Sequence, residues 1–69
     1  MTIAENITAA QKAYDSGNYS NSVYHYRKAL AGYDERNSNS ELDRLHVVKL
    51  KSSLKLSEHM LKECGDRTI

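Results

Sequence analysis

The chain has no proline, no tryptophan and no phenylalanine, three glycines and one cysteine. Each shortage excludes something. Without proline, and with little glycine, nothing interrupts long helices. Cys64 alone cannot form an internal disulfide, which suits a reducing compartment, and it cannot build a zinc set. No apolar run approaches the roughly 18 residues that a membrane span needs. The opening MTIAENITAA lacks a basic region and a continuous apolar stretch, so no signal peptide is expected. A formal net charge of +1 argues neither for nor against nucleic acid, and none is expected as a partner.

What is present fits a small soluble domain. The 69 residues have room for one domain, near the lower limit for a self-standing core. Hydrophobic residues make up 39% and charged residues 28%, too apolar for a disordered tail.

Three helices are expected, over about 2–16, 19–36 and 41–64 of a single domain, residues 1–69. Thr2 and Glu5 match a capping box at the start of the first. Ile3, Ile7, Ala10 and Tyr14 then recur at helical spacing, as one buried face does. The string DSGN ends this helix: Gly17 supplies a left-handed residue and Asn18 caps the next helix. On the second helix Tyr19, Val23, Tyr26, Leu30 and Tyr33 form a stripe within roughly 80°. Ser22 and Ala29 beside it are small enough to admit a close neighbour. Four of the five tyrosines are therefore contacts of a hairpin hinged at Gly17; Tyr24 is the exception, on the opposite side with Lys28 and Ala31.

The polar segment ERNSNSE reads as a loop, with Ser38 or Ser40 capping the third helix and Gly65 ending it. On that helix Val47, Leu50, Leu54 and Leu61 form one ridge. Leu42, Leu45, Leu56 and Met60 form a second, roughly 120–140° away. Ser53, Ser57 and Cys64 lie between them. Two ridges and a small-residue seam predict a helix that touches both others. The expected fold is all-α: a three-helix up-down-up antiparallel bundle with a tetratricopeptide-like first hairpin. No second hairpin repeats the pattern, which argues against a solenoid.

Catalytic chemistry is not evident. His25, His46 and His59 stand at spacings that make no ligand pair, and Gly17, Gly32 and Gly65 are too isolated for a phosphate loop. Cys64 has no obvious base, with His59 turned away on the same helix. Asp15, Asp34 and Glu35 fall at helix ends, where capping accounts for them. No catalytic residue, metal or cofactor is expected.

The string AAQKAYDSGNYSNSVYHYRKAL resembles the start of an MIT domain, the microtubule-interacting and trafficking module. The family pattern has an alanine-rich first helix, here Ala9, Ala10 and Ala13. A Gly-Asn-Tyr turn follows, here Gly17, Asn18 and Tyr19, then a Tyr-x-x-Ala-Leu ending, here Tyr26, Ala29 and Leu30. SEHMLK, from Ser57 to Lys62, loosely resembles the close of the family's third helix, with Ser57 in an alanine position. The opening is also similar to the N-terminal domain of katanin catalytic subunits. A single tetratricopeptide hairpin would match the same stretch of about 25 residues almost as well; one hairpin followed by one long helix favours MIT. The resemblance implies a non-catalytic, monomeric module of a larger protein, often an AAA ATPase. It implies a cytoplasmic place, on endosomes or microtubules, and recruitment to ESCRT-III C-terminal tails or to tubulin. The alternative is a tetratricopeptide-like structural or dimerisation scaffold with no peptide ligand.

Two surfaces are candidates for a partner. On the third helix Arg44, Lys51, Lys55 and Lys62 align within about 40° of arc, with His59 at the edge. Such a stripe is either a solvated face or an attractor of acidic segments. Helical ESCRT-III tails carry basic residues and meet acidic MIT surfaces, so the lysines point instead toward an acidic ligand such as a tubulin tail. On the second helix, Tyr24, Arg27, Lys28 and Ala31 have the composition of a contact patch. A partner helix is expected in a groove between Tyr24 and Ala31 on one side and Lys49, Leu56 and Met60 on the other. Met60 reads either as an adaptable groove floor or as core.

Overall fold

The computed structural model describes residues 2–36 and 40–65. Three helices account for nearly all of them: α1 (Ile3–Asp15), α2 (Tyr19–Arg36) and α3 (Glu41–Cys64), with no strand among the described residues. The chain is an all-α three-helix bundle. Observed bounds follow the expected ones to within a residue; of the segment read as loop, Glu35 and Arg36 belong to the end of α2. Ser38 lies outside the described residues.

Local chemistry sets these limits. Thr2 Oγ1 accepts from the Glu5 amide at 3.1 Å, and Glu5 Oε1 accepts from the Thr2 amide at 3.0 Å. That capping box supplies partners at the otherwise open end of α1. At the other end Gly17 stands at φ 80°, the left-handed region. The Gly17 amide donates to the Tyr14 carbonyl and the Asn18 amide to the Ala13 carbonyl, the two bonds of a Schellman motif. Asn18 then begins α2: its Oδ1 accepts from the Asn21 amide at 3.4 Å and its carbonyl from the Ser22 amide at 3.1 Å. One residue thus closes a helix and opens the next, so the hairpin is tight. Ser40 occupies the N-cap of α3, with Glu41 and Asp43 in a first turn that favours negative charge.

α2 is the central element. Ala10, Tyr26, Ala29 and Leu50 form the buried core, one or two from each helix, and Ile3, Ile7, Leu30, Tyr33 and Leu54 pack around it. Against α1, α2 offers two features that permit close approach. Ala29 is fully buried, and Gly32 sits where a Cβ would lie 2.6 Å from Ile3 Cγ1. Against α3 the small residues meet directly: Ser22 Oγ and Ser57 Oγ, both fully buried, are 3.0 Å apart. Ser22 pairs with Ser57, Tyr33 with His46 and Arg36 with Asp43. Numbers rise along α2 as they fall along α3, so these two helices run in opposite directions.

One expectation fails. α3 packs on α2 but barely touches α1. Of its two ridges only the first, centred on Leu50, faces the bundle. Leu42, Leu45 and Leu56 of the second are exposed and Met60 is half-buried. α2 turns Ala29 and Gly32 toward α1 and Ser22, Val23 and Arg27 toward α3, two different faces. A trough is left between α1 and α3.

Candidate partner-binding surfaces

The trough has a volume of about 370 Å³. Ile3, Ile7 and Gln11 of α1 form one wall, Tyr26 and Tyr33 of α2 the floor, and Lys49, Leu50 and Ser53 of α3 the other wall. Its charged lining is cationic, Arg36 and Lys49, with His46 beside them. Polar contacts hold one end in shape. The Tyr33 hydroxyl is 3.1 Å from His46 Nδ1, and the Arg36 guanidinium lies 5.6 Å from the centre of the Tyr33 ring. Arg36 also stands 3.6 Å from Asp43, whose Oδ2 is buried without a hydrogen bond, so the cation offsets a charge that burial alone would disfavour. An apolar floor with a cationic rim suits an extended or helical segment that carries both apolar side chains and carboxylates.

The expected partner-binding residues do not share one groove. Tyr24, Lys28 and Ala31 line a shallow depression with Ile3, Asn6 and Glu35, so its far wall is α1 and not α3. The reason is rotational. Val23 and Arg27, the α2 residues nearest Tyr24 on that side, are turned to α3, Arg27 reaching Glu58 at 3.8 Å, and Tyr24 lies about 100° from Val23 around the helix. Tyr24 is 54% exposed; Lys28 Nζ lies 5.6 Å from its ring centre. Lys55, His59 and Lys62 form a second depression with Val23, Arg27 and Glu58. Lys49 faces the trough, Lys51 is exposed, Leu56 is exposed and Met60 is half-buried. The cationic row Arg44, Lys51, Lys55 and Lys62 is exposed along its length.

Several residues that shape these surfaces carried weaker signals in the sequence. Asn6 is buried, donating to the Thr2 carbonyl and bonding His25 Nδ1 through Oδ1 at 3.0 Å; its only cue was lying four residues before Ala10. Asp43 is buried seven residues before Leu50, a position that the apolar count overlooks because its side chain is charged. Among the described residues no group of three His, Cys, Asp or Glu side chains is placed to hold a metal, and no helix is long and apolar enough to cross a membrane.

Compared with models of known protein families, with curated proteins and with solved structures, the chain matches none.

Proposed function

We propose that the chain is a non-catalytic interaction module of the MIT type. It docks a peptide or protein against α3 and so tethers a larger protein, such as an AAA ATPase, to ESCRT-III tails or to microtubules in the cytoplasm. The trough carries this reading: α1 and α3 share the α2 scaffold without closing on each other, leaving an apolar floor of tyrosine open to a ligand. The Gly17-Asn18-Tyr19 turn and the single long helix after the hairpin support the same family. The exposed cations of α3 favour an acidic target, as the katanin likeness implies. One peptide in one groove would bind in the micromolar range.

Amide shifts on titration with ESCRT-III tail peptides test the trafficking version; they should fall on Ile7, Tyr33 and Lys49. Co-pelleting with microtubules tests the other. It should weaken with salt and be lost when Lys51, Lys55 and Lys62 are changed to Glu. The rival reading, a tetratricopeptide-like scaffold, draws on the uncovered leucines of α3. A concentration-dependent dimer indifferent to both ligands would establish it.

A further inference from the structure

Four large aliphatic side chains on α3 have no cover: Leu42 is 61% exposed, Leu45 67%, Val48 63% and Leu56 51%. They occupy an arc of about 120° on the side away from the buried row Asp43, Leu50 and Ser57. Isolated apolar residues on a surface are ordinary, but four on one side of one helix form a patch of the kind that marks contact with another molecule. From Leu42 to Leu56 the ridge runs about 21 Å, the length of four helical turns.

We infer that this ridge docks an amphipathic helix edged with carboxylates. The charges around it choose the occupant. Arg44, Lys51, Lys55 and Lys62 run alongside, centred about 100° further round, and Lys49 sits within the ridge. Anions are few between Leu42 and Lys62. Glu58 is 3.8 Å from Arg27, and Asp43 is buried against Arg36. Glu41 and Glu63 stand only at the two ends. The surface around the ridge is thus strongly positive on a chain whose net charge is +1. A partner helix with apolar residues at i, i+3, i+4 and i+7 would cover the aliphatics and set its flanking acids against the lysines. A second copy of this chain is disfavoured, since pairing two ridges brings together two surfaces of the same sign. A lipid surface fits less well, because Lys49 and Ser52 interrupt the apolar band that would have to lie in it. The proposal does not depend on the trough: Leu42, Leu45, Val48 and Leu56 line none of it, Lys49 borders both, and shifts at Ile7 and Tyr33 report the trough alone.

The test titrates the ¹⁵N-labelled chain with a designed helical peptide of about five turns carrying a leucine stripe flanked by glutamates. Its counterpart flanked by lysines and vesicles of phosphatidylcholine with and without phosphatidylserine are run beside it, with sedimentation velocity on the chain alone. The acidic peptide should shift amides from Leu42 to Leu56 and saturate at micromolar concentration. Leu45→Gln with Val48→Gln should weaken it at least about tenfold, as should Lys51→Glu with Lys55→Glu. Thermal melts of both double variants should match the parent, because these side chains are exposed. Equal binding of the lysine-flanked peptide would overturn the proposal. So would binding to phosphatidylserine vesicles alone, a dimer abolished by Leu45→Gln, or shifts confined to Ile7 and Tyr33.

Discussion

Where α2 meets α1, alanine, glycine and aliphatic carbon dominate, with one polar pair, Asn6 with His25; where it meets α3, the close contacts run through hydroxyls, an imidazole and ion pairs. Ala10 and Ala29 are fully buried on the first side, and Gly32 receives Ile3. On the second side stand Ser22 with Ser57, Tyr33 with His46, Arg27 with Glu58 and Arg36 with Asp43. Small apolar surfaces demand closeness and little else. Directional polar pairs demand one register, yet each adds only a modest net stability once the lost water contacts are counted. The difference teaches which helix is held more loosely. α3 has one buried aliphatic side chain, Leu50, among its 24 residues. It also bears the surfaces to which partners are assigned, and an element with few buried apolar contacts opens first.

The largest effect that sharpens this comparison comes from Leu50→Ala. Removing a buried leucine costs about 2–5 kcal/mol, a large share of what so small a domain has. Ile7→Ala, a half-buried aliphatic on α1, should cost about half as much. Urea denaturation followed by circular dichroism measures both. If Ile7→Ala proves the more damaging, Leu50 is not the main apolar anchor between α3 and the hairpin.

A second effect, smaller, probes the polar side alone. Ser57 Oγ donates to the Ser53 carbonyl at 3.0 Å, so its single proton is committed and Ser22 Oγ must be the donor in the Ser22–Ser57 bond. Ser57→Ala therefore leaves a buried donor unmatched and should cost about 1–3 kcal/mol. Ser22→Ala removes that donor and leaves Ser57 bonded to Ser53, so it should cost less. The double variant should be more stable than Ser57→Ala alone, because no orphaned hydroxyl remains. A double-mutant cycle by thermal melting checks the order; equal single costs would show that the two hydroxyls are not arranged in this chain of bonds.

The same contrast explains what could be read in advance. The hairpin was legible in detail, since caps, the Gly17 turn and the Tyr19–Tyr26 stripe are local signals acting over three or four residues. The first ridge of α3 and the Ser22 and Ser57 positions were legible too, as periodicity. What periodicity could not say was whether the second ridge was covered. Leu42, Leu45 and Leu56 look the same on a wheel whether α1 lies on them or water does. The outcome depends on which faces of α2 its two neighbours take, and small residues at Ala29 and Gly32 fix α1 at a distance from α3. The expected groove failed for a related reason. Placing Tyr24 opposite Leu56 needs the rotation of α2 to be known to better than one residue, and the ion pair of Arg27 with Glu58, one turn on, sets that rotation only in three dimensions.

The smallest effect belongs to the far end of the hairpin, and it is a matter of pH. Glu5 accepts from the backbone amide of Thr2 and its neighbouring hydroxyl contact adds to this, so its carboxyl is held below the ordinary value of 4.5. Because the folded value is the lower one, the cap's contribution is complete above the unfolded value and disappears as the pH falls through the folded one. Acid should then fray α1 at Ile3 and Ala4 before it disturbs the core. Thr2→Ala removes the hydroxyl half of the box and should return the Glu5 titration toward its ordinary range, at a cost of about 0.5–2 kcal/mol for the lost cap. Side-chain carboxyl shifts of Glu5 followed by NMR from pH 2 to 7, in parent and variant, decide it: coincident titrations in the two chains would mean that the Thr2 hydroxyl adds nothing to what the backbone amide does for Glu5.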